Sequence, residues 1–150
     1  MADISDVTGQ IEDVLIQHVQ ATRAEGLPLT FRAAGTSLSG QAVSDSILVV
    51  ASHGWKSLQV LDNGAAIRLQ PGVIGAEANA ALLPYGRKIG PDPATINSAM
   101  IGGIVNNNSS GMCCGTAENS YQTLKSLRLL LADGTLLDSG DAASVAAFRV

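Results

Sequence analysis

Apolar residues return at helical spacing near the start of the chain: Ile11, Val14, Leu15 and Val19, with Thr22 following, recur every three or four positions. Thr8 stands where a side-chain oxygen caps a first turn, and Gly26 with Pro28 stops the run. The spacing therefore predicts an amphipathic helix over about residues 9–25. The pattern then changes. Leu29 to Phe31 reads as a short strand, a small-residue loop follows from Ala33 to Gln41, and Ile47 to Val50 is an unbroken apolar run. Such a run is the habit of a strand buried on both faces, as in a parallel sheet covered by helices. Leu58–Leu61 and Ala65–Leu69 flank Asp62-Asn63-Gly64, and Asn-Gly between apolar segments predicts a tight hairpin. After the Pro71-Gly72 turn, Ile74, Ala78, Ala81 and Leu82 fit a short helix that Pro84 ends.

From Tyr85 to Gly115 the periodicity fades into Gly, Pro, Asn and Ser, which is the composition of a binding loop or of a disordered segment. Leu127–Ala132 and Thr135–Asp138 flank Asp133-Gly134 and predict a second hairpin. Asp141 then caps a helix that runs toward Val150 with no closing glycine, so the chain is expected to be a fragment of a longer protein.

Composition narrows the classes. The 150 residues suit one domain, and with 46% hydrophobic, 15% charged and 3% aromatic residues the core must be built from Val, Ile, Leu and Ala. A net charge of −4, with nine scattered basic residues, excludes a nucleic-acid backbone as partner. Any phosphate must be held mainly by backbone amides. No apolar run approaches the roughly 20 residues of a membrane span, and the first residues form neither a charged nor an apolar region of an export signal, so a cytoplasmic protein is expected. The two cysteines, Cys113 and Cys114, are adjacent; a disulfide between them would be strained, and they read as reduced, buried packing residues. His18, on or beside the apolar helix face, and His53, after a strand, have no partner at metal-ligand spacing, so no metal site is expected.

Two loops carry the candidate chemistry. Phe31 to Gln41 (FRAAGTSLSGQ) follows a strand and is small at nearly every position. Small residues let a backbone approach a ligand closely, and successive inward amides make a nest for an anion. Gly35 and Gly40 have the spacing of a Walker loop, but Gln41-Ala42 replaces its Lys-Ser/Thr, and no Gly-x-Gly-x-x-Gly opens a helix. The second loop, Gly90 to Gly115, joins a Pro-flanked turn to paired glycines and a polar Asn/Ser cluster, a combination suited to a planar heterocycle with hydrogen-bonding edges.

In order, FRAAGTSLSGQA, GPDPATINSAMIGGIVNNNSSG and GTAENSYQTLKSLRLLLADGTLLD resemble the FAD-linked oxidase family, whose FAD domain is of the vanillyl-alcohol oxidase type. The resemblance runs from about Ser5 to Asp138 and is strongest to D-lactate and other 2-hydroxy-acid dehydrogenases, especially large bacterial members that carry iron–sulfur modules. It implies an α+β fold with a first lobe over about residues 1–70 and the start of a second over about 71–150. FAD would lie between the lobes. It further implies that the first loop holds the FAD pyrophosphate through Arg32, Ala33, Ala34, Gly35, Thr36, Ser37, Leu38, Gly40 and Gln41. The second loop would lie along the ribityl chain and ring through Pro91, Asp92, Thr95, Gly102, Gly103, Asn107, Ser110, Gly111 and Gly115. Where the family's first loop reads Arg-Gly-Gly-Gly, this chain has Arg32-Ala33-Ala34-Gly35, which puts phosphate contacts at Ala33 and Ala34 in question. Thr36 replaces the histidine that attaches FAD in covalent members, so non-covalent binding is implied.

The implied activity of the whole protein is oxidation of a small 2-hydroxy acid, D-lactate-like, to the 2-oxo acid, with the carboxylate clamp and base in a later domain. No residue of this chain is assigned a catalytic role, and any iron–sulfur cluster would lie elsewhere in the protein. Three other readings stay open at this point: a folded piece that binds FAD weakly or not at all, an FAD-dependent reductase of the amino-sugar type, and a non-enzymatic interaction module.

Overall fold

The computed structural model describes residues 4–51 and 54–148. Along the chain run α1 (Ile4–Ala24), β1 (Leu29–Arg32), β2 (Ile47–Val50), β3 (Leu58–Leu61), β4 (Ala66–Leu69), α2 (Gly75–Leu82), α3 (Ile101–Asn106), α4 (Ser120–Thr123), β5 (Arg128–Leu130), β6 (Leu136–Asp138) and α5 (Ala142–Phe148). Helices and three separate two-stranded sheets make the fold α+β. The chain forms two compact units: one takes the residues up to Leu29 and those from Leu124 onward, the other Thr30–Thr123.

In the first unit, α1 begins at Ile4, so Thr8 lies inside the helix rather than capping it. Ile4 and Val7 extend the spacing of Ile11 and Val14 by two turns, which explains the earlier start. The helix ends as Gly26 predicts. At φ +64° the Gly26 N–H donates to the Arg23 carbonyl (3.1 Å), and the Leu27 N–H reaches back to Thr22 (2.8 Å). This pair of bonds satisfies the last carbonyls through a left-handed residue. His18 is exposed beside the apolar stripe, its Nδ1 2.7 Å from the Val14 carbonyl of its own helix. His53 lies outside the described residues.

β5 and β6 pair antiparallel, with Arg128 opposite Asp138 and Leu130 opposite Leu136. Gly134 makes the turn at φ +87°, and the Asp133 carboxylate accepts the Thr135 N–H at 2.8 Å. Arg128 Nη2 reaches Glu12 Oε2 at 2.8 Å and ties the hairpin to α1. The Asp141 carboxylate accepts the Ala143 N–H (3.0 Å), the cap read from sequence.

The second unit holds the hydrophobic core: Val73, Ala78, Ala99, Ile101 and Ile104, with Leu58, Ile67, Leu69, Ile89, Ile96 and Val105 packed against it. β3 and β4 form the expected antiparallel hairpin, Leu58 opposite Leu69 and Leu61 opposite Ala66. Asp62, Asn63 and Gly64 all take positive φ there, a conformation that Asn, Asp and Gly tolerate best. At the start of α2, Ile74 has no side-chain oxygen to offer as a cap. Instead Glu77 Oε2 accepts the Ile74 N–H (2.9 Å), and the N–H groups of Gly75 and Ala76 donate to Ala99 and Ile96 in the second loop (3.0 Å each). One helix start thereby anchors that loop to the core.

Two expectations change. Ile47 and Val50 of β2 are 37% and 51% exposed, so this strand is not buried on both faces. β1 and β2 pair with each other alone among the described residues, the Ala51 N–H donating to the Arg32 carbonyl (2.8 Å), so these strands form a two-stranded sheet with exposed positions rather than part of a larger covered one. An apolar run records a tendency to be buried, not which segment supplies the cover. The stretch from Tyr85 to Gly115 is also no featureless loop, since α3 forms within it despite Gly102-Gly103.

Hydrogen bonding from the Thr135 backbone N–H and side chain holds the Asp133 carboxyl below its ordinary range. A lowered folded value means stabilisation above the unfolded value near pH ~4, lost as pH falls through the folded one. Asp133→Ala is expected to lower the melting temperature at pH 7, with the gap to the parent chain closing as the solution is acidified below pH ~4. Melting curves at a series of pH values check this.

Candidate functional site

Arg32 closes β1, and the chain then turns through Gly35 (φ +70°) and Gly40 (φ +77°). At Gly35 the positive φ disfavours a side chain, and one added there would push the Arg32 guanidinium aside. A Cβ there would lie 2.5 Å from Nε and 2.8 Å from Cζ. Ser37 Oγ donates to Gln41 Oε1 across the loop (2.5 Å). Among the described residues, the backbone N–H groups from Ala33 to Ser39 make no hydrogen bond within the protein. A run of amides left open to solvent along a turn with left-handed glycines is the makings of an anion nest.

The opposite wall comes from the second loop. Ile101 N–H donates to Val73 (2.8 Å) and Gly102 N–H to Pro71 (2.9 Å), which lays the first turn of α3 flat on the Pro71–Val73 segment. A Cβ at Gly102 would come within 2.8 Å of the Pro71 Cβ, so only glycine fits. Ile104 fills the core on the same side. Gly103 then faces the first loop, where a Cβ would stand 3.6 Å from that of Ala33. The helix ends with Asn108 at φ +46°, the Asn108 N–H on Val105 and the Ser109 N–H on Ile104.

Between these walls lies a cleft of about 190 Å³ within the second unit. From the first loop Arg32, Ala33, Ala34, Gly35, Thr36, Ser37 and Gln41 line it; from the second, Thr95, Gly103 and Asn107 do. The two segments singled out by composition thus share one cavity. Leu38 is fully exposed, and neither it nor Gly40 lines the cleft. Pro91, Asp92, Gly102, Ser110, Gly111 and Gly115 are also absent from the lining.

Several of these last residues pack on one another instead. A Cβ at Gly111 would overlap the Asp92 carbonyl, and one at Gly90 would meet the Glu118 carbonyl at 2.6 Å. Lys88 lies 3.9 Å from Asp92 at the same place. Sequence reasoning passed over Phe31, Ala42, Pro93, Ala99, Met100, Ile104, Asn106 and Ser109, which also line the cleft. Most are apolar, and nothing in their spacing separates a pocket wall from a core; Asn106 and Ser109 belong to the polar cluster already noted. Cys114 is buried as expected, but Cys113 is exposed, because the Gly111–Gly115 bridge turns the intervening tip outward.

The cleft is nearly neutral. Arg32 is the one charged residue lining it, and among the described residues no carboxylate lies within ion-pair distance of its guanidinium. Open amides, an unpaired guanidinium and small residues on both walls fit the diphosphate of a dinucleotide. The volume is below the roughly 300–1,000 Å³ of a drug-sized ligand site, so it suits part of such a molecule rather than all of it. No group of three or more metal-ligating side chains occurs among the described residues, and no described helix is long and apolar enough to cross a membrane.

Comparison with known proteins agrees with this geometry. Residues 7–140 match the family described as FAD binding domain. The chain belongs to that family, the FAD-linked oxidases of the vanillyl-alcohol oxidase type. It is 31% identical over 118 residues to a D-2-hydroxyglutarate dehydrogenase of Pseudomonas putida, a match over 78% of this chain and 12% of that protein. It is 30% identical over 116 residues to glycolate oxidase subunit GlcD of Escherichia coli, covering 76% of this chain and 23% of that one. The chain therefore spans between about an eighth and a quarter of these relatives. Among solved structures, 6-hydroxy-D-nicotine oxidase from Arthrobacter nicotinovorans superposes with a TM-score of 0.70 at 18% identity, over 82% of this chain and 27% of that one. Glucooligosaccharide oxidase from Acremonium strictum, described with a 6-S-cysteinyl, 8α-N1-histidyl FAD, gives 0.67 at 24% identity, over 85% and 26%. These likenesses carry the fold.

Gly111→Ala is expected to destabilise the chain by about 1–3 kcal/mol, because backbone rather than a flexible side chain blocks the added methyl. Gly26→Ala, at positive φ with open space around it, is expected to cost about 1 kcal/mol. Urea unfolding of the two variants checks the order.

Proposed function

We propose that the cleft receives the diphosphate portion of a non-covalently bound FAD, and that the whole protein is a flavin-dependent dehydrogenase of a small 2-hydroxy acid. The observation that carries this reading is the run of unengaged N–H groups from Ala33 to Ser39 beside the unpaired Arg32 guanidinium. In this reading Arg32 balances diphosphate charge, the amides of Ala33, Ala34, Gly35, Thr36 and Ser37 donate to its oxygens, and Gln41 holds Ser37 in place. Leu38 and Gly40 act by shaping the turn. Thr95, Gly103 and Asn107 meet the ligand from the other wall. Pro91, Asp92, Gly102, Ser110, Gly111 and Gly115 lie outside the lining and maintain the form of that wall. Ala33 and Ala34 fit where the resemblance has glycine, since neither takes positive φ. With Thr36 in the place of an attaching histidine, the flavin is held without a covalent bond.

Bound FAD supplies the two-electron acceptance that such an oxidation needs. The residues of this chain bind and orient it, and none is assigned as acid, base or nucleophile. Substrate is assigned as a D-lactate-like 2-hydroxy acid, which is oxidised to the 2-oxo acid. The similar proteins named for D-2-hydroxyglutarate and glycolate, both 2-hydroxy acids, support that class. The carboxylate clamp, the catalytic base and any iron–sulfur cluster belong to parts of the protein beyond this chain. Residues of about 1–70 form the first lobe of the complete FAD domain and those of about 71–150 the opening of the second. Two free cysteines fit a reducing cytoplasm.

The limited cleft volume favours a second reading, that this chain alone holds FAD weakly. Titration of the chain into FAD separates the two: saturable quenching of flavin fluorescence that ADP reverses is expected, and a flat, unsaturating response favours the second reading and sinks the assignment of this chain's cleft as a diphosphate site by itself. Arg32→Ala is expected to weaken binding roughly tenfold, with less dependence on salt than the parent chain shows.

A further inference from the structure

α4 packs against the C-terminal end of α3, the stretch that presents Asn106, Asn107 and Ser109 to the cleft. Ser120 opens α4 and is 3% exposed. Its hydroxyl lies 3.0 Å from the Ile104 carbonyl and 3.1 Å from the Ser109 carbonyl, and its N–H donates to Ser109 as well (3.0 Å). One hydroxyl proton cannot fully serve two carbonyls, so it is shared between them. The next residue adds a fourth contact: Tyr121 N–H donates to Asn108 Oδ1 at 3.0 Å. Asn108 is the left-handed residue that ends α3.

These bonds have a common target. Ile104 and Ser109 are the two residues joined by the bond that closes the end of α3, Ser109 N–H to the Ile104 carbonyl (2.9 Å). Ser120 therefore binds both ends of that closure from outside the cleft, while Asn108 Oδ1 fixes the residue between. Neither Ser120 nor Asn108 lines the cavity. Asn119 steadies the donor side, its Oδ1 accepting the Gln122 N–H (3.1 Å) within α4's first turn.

We propose that Ser120, together with the Asn108 amide, is a positioning device for the ligand wall: it sets the path of Asn107 and Ser109 along the cleft without touching what the cleft holds. The effect on ligand rests on the flavin reading above; the effect on the wall does not. A residue that only supports stability would lower the melting temperature of the chain yet leave affinity at low temperature and local backbone protection unchanged.

Two variants test this. Ser120→Ala removes the shared hydroxyl, and Asn108→Gly keeps a residue at ease with positive φ while removing the Tyr121 contact. Amide hydrogen exchange at Asn107 and Ser109 and FAD affinity by fluorescence quenching are measured well below the melting transition. The expected result is faster exchange at both amides in each variant and FAD binding weakened roughly three- to tenfold, with exchange across β3 and β4 unchanged. Unchanged exchange at Asn107 and Ser109 in both variants overturns the positioning role whatever FAD does. Faster exchange with undiminished FAD binding overturns the ligand-wall role and leaves the flavin reading standing. If the parent chain shows no saturable FAD binding, the flavin reading falls, and the exchange data alone uphold or overturn the anchoring of the wall. If Ser120→Ala fails to fold, exchange and FAD affinity in Asn108→Gly uphold or overturn the proposal on the same terms.

Discussion

The close approach of α3 to the Pro71–Val73 segment fixes everything else about the site. Gly102 rests on Pro71 where no side chain fits, Ile101 donates to the Val73 carbonyl, and Ile104 sinks into the core. A helix pinned this way has one orientation available, and its remaining face, Gly103 with Asn106 and Asn107, can only look toward the first loop. The paired glycines thus do two separate jobs: one makes contact with the core, the other leaves room for a guest.

Against that rigid wall stands a loop whose amides from Ala33 to Ser39 have no partner among the described residues. Backbone N–H groups that end unpaired are costly when buried, so they persist at the surface or against a ligand. Here they persist in a cleft with a single positive charge, on a chain with net charge −4. Holding a diphosphate by oriented dipoles instead of a cluster of lysines keeps the site selective for a geometry, not merely for negative charge.

Much of this was legible in residue order. The Asn63-Gly64 and Asp133-Gly134 turns, Gly26 at the end of α1 and Asp141 at the start of α5 each rest on local backbone chemistry, and each reads correctly from a few letters. The two site loops stood out because their Gly, Ser, Thr and Asn residues come without helical or alternating spacing, one of them directly after a strand. Less legible was whatever depends on distant segments. The apolar run of β2 gave no indication of what covers it, and α3 was hidden by two glycines, one placed for contact with Pro71 and the other facing Ala33, neither of them suited to helix propensity. Pro93, Ala99 and Met100 reach the cleft only because Ala99 and Ile96 accept the first amides of α2, a long-range bond that no spacing announces.

The division of the chain into units carries a consequence for how it acquires its shape. The unit from Thr30 to Thr123 is one continuous stretch, whereas the other joins α1 to a hairpin that follows only after that whole stretch, with Glu12 meeting Arg128. Closing so long a loop is slow and entropically unfavourable until the intervening chain has condensed. During synthesis the cleft-bearing segment is therefore complete before the hairpin emerges. The opening helix has to wait without Arg128 as the partner of Glu12, an interval in which a chaperone or premature association would act on α1 first.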